Sequence, residues 1–142
     1  MDRGKMLKSL VPIRAICTRL PRKDFEDSLM VWWIPVTAFG TPAAVPNINL
    51  ETGQWTEDSA WVVDSRIKTL GNLSYHDCPV IPAPTIQELL SKLPNVTIEW
   101  LWEEGDCLVT IQGDETVYSD SYLINALARA YIDWKKKEGT YN

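Results

Sequence analysis

The chain has little of what most catalysis needs. One histidine, His76, stands among 142 residues, so any imidazole chemistry has to pass through that position. The three cysteines, Cys17, Cys78 and Cys107, are odd in number and far apart in sequence, which argues against a disulfide framework and fits a reducing compartment. No pair of them has the close spacing of a zinc site, and no metal ligand set is expected. The glycine-rich phosphate-binding and dinucleotide patterns are absent, as is the nucleophile-elbow pattern of serine hydrolases, so no cofactor is expected. The longest apolar run, Leu29 to Val36, falls far short of the roughly 20 residues a spanning helix requires. Pro12, Arg14 and Arg19 interrupt whatever follows Lys5 and Lys8, which argues against a secretory signal. The expectation is a cytoplasmic protein.

What is present is clearest in the last third. Thr85 and Glu88, three apart, match a capping box, in which the Thr hydroxyl takes the Glu amide and the Glu carboxylate takes the Thr amide. Ile86, Leu89, Leu90 and Leu93 follow as one apolar stripe, and Pro94 ends the helix. Val96, Ile98, Trp100 and Trp102 then alternate with Thr97, Glu99 and Glu103, the pattern of a half-buried strand. A two-residue turn at Glu104-Gly105 pairs Trp102 with Cys107, Trp100 with Val109 and Ile98 with Ile111, and places Trp100 and Trp102 in the core. Gly113-Asp114 marks a second turn and Thr116 to Tyr118 a third strand. Ser119 or Asp120 is expected to cap a closing helix with core positions Leu123, Leu127, Tyr131 and Trp134, and with Gly139 as its C-cap. The expected fold class is α+β, an antiparallel sheet with helices packed on one face, ending in a C-terminal α-β-β-β-α unit.

The run Pro82-Ala83-Pro84-Thr85-Ile86-Gln87-Glu88, the alternating hairpin and the alanine-rich closing helix together resemble small uncharacterised α+β proteins of bacteriophages and of prophages of gut bacteria. The resemblance covers the last third of the chain. It implies a phage or mobile-element origin and brings no catalytic residues with it.

Residues 1–78 read as a mostly β part with a basic N-terminal arm, residues 79–84 as a proline-rich connector, and residues 85–139 as the C-terminal unit; a single compact domain is the alternative. Leu7 to Leu20 holds a short helix divided by Pro12. Ser28 to Ile34 is rich in strand formers, and Pro35 makes it an edge strand or ends it. Ile48-Asn49-Leu50 and Trp55 form a hairpin that pairs Leu50 with Trp55 across Thr52-Gly53. The first 23 residues carry seven basic and one acidic residue, whereas the rest of the chain is strongly acidic, and the whole has a net charge of −5. An acidic body argues against duplex DNA as a partner.

Each constellation has a bland reading beside the sharp one. His76-Asp77-Cys78 adjoin, but immediate neighbours on an extended chain point apart, so a solvated loop accounts for them. Glu103, Glu104 and Asp106 read as a polar hairpin tip before they read as a cation site. Trp32 and Trp33 face opposite sides of a strand, so one of them is a candidate for exposure; with Trp55 and Trp61 they form the expected binding set. The leading expectation is a non-catalytic accessory protein that binds a protein partner. The alternatives are an acidic decoy for a basic nucleic-acid-binding surface, with Asp58, Asp64, Glu103, Glu104, Asp106, Asp114 and Glu115 along one face, and a small hydrolase or transferase using His76 or Cys78.

Overall fold

The computed structural model describes residues 10–34, 48–49, 54–57, 60–66, 69–70, 73–74 and 80–138. The chain has an α+β fold. After a short helix α1 (Arg14–Cys17) and a 3₁₀ turn (Arg22–Phe25) come strands β1 (Met30–Trp33), β2 (Ile48–Asn49), β3 (Gln54–Glu57), β4 (Ala60–Asp64), β5 (Thr69–Leu70), β6 (Leu73–Ser74) and β7 (Val80–Pro82). Helix α2 (Ile86–Lys92), strands β8 (Val96–Leu101), β9 (Asp106–Ile111) and β10 (Val117–Asp120), and helix α3 (Leu123–Lys137) complete the order. Among the described residues, the strands make a five-stranded sheet ordered β2-β3-β4-β1-β7, a three-stranded sheet ordered β10-β9-β8, and the small pair β5-β6, with every pairing antiparallel. No helix among them is long and apolar enough to cross a membrane.

The C-terminal α-β-β-β-α unit is present. Thr85 and Glu88 close the capping box in both directions, the Thr85 amide donating to Glu88 Oε1 at 2.8 Å and the Glu88 amide to Thr85 Oγ1 at 3.3 Å. Helix α3 lies against β9 and β10 and buries Val109, Ile111 and Tyr118 together with Leu89 of α2. Its own burial is wider than one stripe. Ile124, Ala126, Leu127, Ala128, Ala130, Tyr131 and Ile132 are all buried, while Leu123 and Trp134, expected in the core, are half-buried. The reason is a second covering layer, because Ile16, Leu20 and Phe25 from the N-terminal segment pack into the same cluster. The cap is also corrected. The helix starts from Tyr122 without a side-chain cap, and Asp120 Oδ1 instead accepts from the Tyr122 amide at 2.8 Å, just ahead of it. Gly139 lies outside the described residues.

Both expected hairpin registers are two residues too tight. Trp100 pairs with Cys107, Ile98 with Val109 and Val96 with Ile111; likewise Ile48, not Leu50, pairs with Trp55. In the C-terminal hairpin the connection is a four-residue turn, 102–105. The Leu101 carbonyl accepts from the amides of Glu104 at 3.2 Å and Gly105 at 2.8 Å. Gly105 closes it at φ 72°, a left-handed conformation that a side chain would strain. The parity of the faces survives, since a shift of two residues moves no side chain across the sheet.

The N-terminal segment joins the two larger sheets. Cys17 and Val11 belong to a second cluster with Trp32, Ile34, Val62 and Ala83, whereas their neighbour Ile16 belongs to the first. Val80–Pro82, expected as a connector, is itself a strand of the larger sheet. Strand β1 is interior, flanked by β4 and β7, so of the two outcomes expected at Pro35 the edge position does not occur.

Candidate binding surface

Two tryptophan pairs, Trp32 with Trp33 and Trp100 with Trp102, occupy the reverse of their expected places. Trp32 is 1% and Trp33 0% exposed, so neither forms a working surface. Strand β1 is paired along both edges, by β4 and β7, and the Trp32 indole is fixed further by donating from Nε1 to the Pro12 carbonyl at 3.0 Å. Trp55 and Trp61 lie on β3 and β4, but their side chains are outside what the structure describes. His76, Cys78 and Asp58 are also outside the described residues.

Trp100 and Trp102 are the exposed pair, at 48% and 84%. Strand alternation puts Trp100 on the same face as Cys107 and Ile98, the face that the helices cover. Coverage runs out before the hairpin tip. Helix α3 lies over β9 and β10, and α2, with seven residues, is only about 10 Å long. The alternation that suggested burial is real, but among the described residues the closing helix lies over β9 and β10, and Trp100 and Trp102 stay exposed. The two indoles stack on each other, with ring centroids 5.8 Å apart and planes 17° apart. The stacking takes part of each indole's apolar surface out of water. Glu103 and Glu104 follow on the turn, both exposed. Together with Trp100, Leu101 and Trp102 they line a shallow cleft of about 330 Å³. An indole face attracts cations and apolar groups, and adjacent carboxylates attract cations as well. The sequence did carry one usable signal: the polar run Glu103 to Asp106 puts Trp102 at a turn, and a turn residue is seldom core.

The other clefts offer less chemistry. One of about 160 Å³ is lined by Cys17, Leu20, Phe25 and Ile81 among others. Its thiol is held in the protonated form, because burial pushes Cys17 up to about 12, against a smaller opposing effect of a hydrogen bond with Trp32. Cys107 is buried too, and burial foremost, then the charges of Asp120 and Asp106, raise its pKa. Both cysteines are free thiols. Among the described residues no group of three or more His, Cys, Asp or Glu side chains gathers closely enough to hold a metal ion.

Asp64 and Asp114, two of the acidic residues of the decoy reading, are each held by a cation of this chain. Asp64 is held by Arg66 at 2.7 Å, and Asp114 by Lys137 at 2.6 Å. Asp114 and Glu115 follow the far end of β9 from Glu103, Glu104 and Asp106. Comparison with protein-family models, with curated proteins and with solved structures found no match for the chain.

Proposed function

We propose that the protein is a non-catalytic binding protein that engages a protein partner through the tip of the β8–β9 hairpin, with Trp100 and Trp102 as anchors. The observation that carries this reading is the stacked, exposed tryptophan pair on a turn that also bears Glu103 and Glu104. Large exposed aromatics are costly to leave in water, and they are the commonest energetic anchors of protein interfaces. Flanking carboxylates turn the surface away from nucleic acid and toward a partner with basic or apolar groups. The pairing of Asp64 and Asp114 with cations of this chain favours this reading over an acidic decoy. The setting we propose is cytoplasmic and of phage or mobile-element type; it rests on the unpaired cysteines and on the resemblance of the C-terminal third.

The test compares capture by the tagged wild-type chain with capture by the Trp100→Ala/Trp102→Ala variant from the same host lysate. Wild type is expected to retain a protein that the equally folded variant loses. An identical set of captured proteins from both would sink the reading.

A further inference from the structure

Strand β8 is an edge. Among the described residues its only strand neighbour is β9. The hydrogen-bonding phase of that pair leaves a defined set of groups pointing outward. The Gln112 amide donates to the Asn95 carbonyl at 2.8 Å, one step before the ladder, so residues 95, 97, 99 and 101 turn their amides toward β9. Val96, Ile98 and Trp100 therefore turn their N–H and C=O groups away from the sheet. An edge of this kind is a template for another strand unless charge, proline or a bulge blunts it, and the only charge on β8 itself is Glu99.

We infer that the occupant of this edge is a second copy of the same chain, paired antiparallel through β8 with Ile98 opposite Ile98, which joins the two three-stranded sheets into one. The inference rests on the reading of the hairpin tip as a binding surface and names its partner. Of the registers that keep the helix-bearing faces on one side, only the one centred on Ile98 pairs the outward groups of Val96, Ile98 and Trp100 all within β8; those centred on Thr97 and on Glu99 each set one of the three opposite a residue beyond the strand. The register centred on Glu99 sets two carboxylates directly opposite, which is repulsive. The register centred on Ile98 sets Glu99 opposite Thr97, and Val96 opposite Trp100. It also carries Trp102 toward Pro94 of the other copy, and Pro94 is exposed. The charges then complement each other. Glu103 and Glu104 at the tip of each copy approach the C-terminal end of the other copy's α2, where Lys92 is exposed and Leu90 presents an apolar side chain at 39% exposure.

The test is the solution mass of the full chain by sedimentation equilibrium, with substitutions at exposed positions whose folding is checked by circular dichroism. Wild type is expected at twice the 16.2 kDa chain mass at high concentration. Thr97→Lys, which faces Glu99 of the other copy, is expected to tighten the dimer about tenfold, and Thr97→Glu to weaken it about tenfold. Trp100→Pro removes an outward donor without touching the β9 ladder and is expected to be monomeric. A folded wild-type chain that stays monomeric overturns the inference, as does a dimer indifferent to the charge at position 97. If that monomer still loses a lysate protein on Trp102→Ala, the binding surface stands and only its occupant is wrong. If capture is also unchanged, both readings fall.

Discussion

The Tyr131 hydroxyl donates to Asp24 Oδ2 at 2.5 Å, across 107 positions of sequence. Lys135 approaches the same carboxylate oxygen at 3.4 Å, and Phe25 meets the Tyr131 ring edge-on with centroids 5.0 Å apart. A second tie lies near the other end of α3, where the Ile13 amide donates to Asn125 Oδ1 at 3.0 Å. The N-terminal segment is thus fastened across the closing helix at both ends, which is why that helix is buried on more than its sheet-facing side.

Tyr131→Phe is expected to lower unfolding free energy by about 1–2 kcal/mol, since it leaves a partly buried carboxylate without one donor. Urea denaturation at neutral pH measures this, and an unchanged midpoint would show the tie to be idle.

The same phenol predicts an alkaline limit. Burial foremost, then the hydrogen bond and charge of Asp24, raise the Tyr131 pKa. Burial and Asp133, whose carboxylate accepts from Tyr118 at 3.1 Å, push Tyr118 up to about 12. A phenol that titrates higher in the folded chain contributes stability in full below its unfolded value of about 10, and loses it as pH rises toward the folded value. Stability should hold to near pH 10 and fall between about 10 and 12, with a shallower fall in the Tyr118→Phe/Tyr131→Phe variant. Denaturation midpoints across that range provide the check, and equal slopes for the two proteins would contradict it.

Asp114 works at the opposite limit. Its hydrogen bonds from Lys137 and the Thr116 amide lower it to about 2. Its contribution is therefore present above the ordinary carboxylate range and lost as pH falls through about 2. Lys137→Ala should move the Asp114 midpoint up toward 3.8, the value of an unperturbed carboxyl. Carboxyl chemical shifts followed over an acid titration report it directly.

The tryptophans separate cleanly in stability. Trp32→Ala removes a fully buried ring and its hydrogen bond to Pro12, and should cost about 3–5 kcal/mol. Trp102→Ala should change stability by no more than about 0.5 kcal/mol, as befits a surface site. Chemical denaturation of the two variants decides this, and a large loss in Trp102→Ala would mean that the tip is structural.

Gly105→Ala is expected to cost about 1 kcal/mol through its left-handed φ alone, since a Cβ there meets nothing within 4 Å. Gly105→Asn should cost less, because Asn tolerates that conformation better. Equal costs for both variants would point to some other constraint on the turn.

Much of this was legible in the chain, and what was missed has a common cause. The capping box at Thr85 and Glu88, the alternation in β8, the turns at Gly105 and Gly113 and the presence of a closing helix depend on residues a few positions apart, and they stand as read. The hairpin registers failed by two residues in both hairpins, because alternation determines which face a side chain takes but not how many residues a turn consumes. The exposure expected at Trp32 or Trp33, and the burial expected at Trp100 and Trp102, failed for a related reason. Trp32, Trp33, Trp100 and Trp102 all sit in strand-like patterns, and nothing local distinguishes an interior strand from an edge.

By itself, the sequence determined the type of each C-terminal element and the side on which its side chains lie, since these follow from backbone geometry and short-range hydrogen bonds. Tertiary structure decided which faces are covered. Trp32 is buried because β1 lies between β4 and β7 and because Pro12 comes back to meet it from 20 positions away. Trp100 and Trp102 are exposed because β8 is the outer strand and helix α3 lies over β9 and β10. Burial depends on what arrives from elsewhere in the chain, and an identical alternating pattern can end in a core or at a surface.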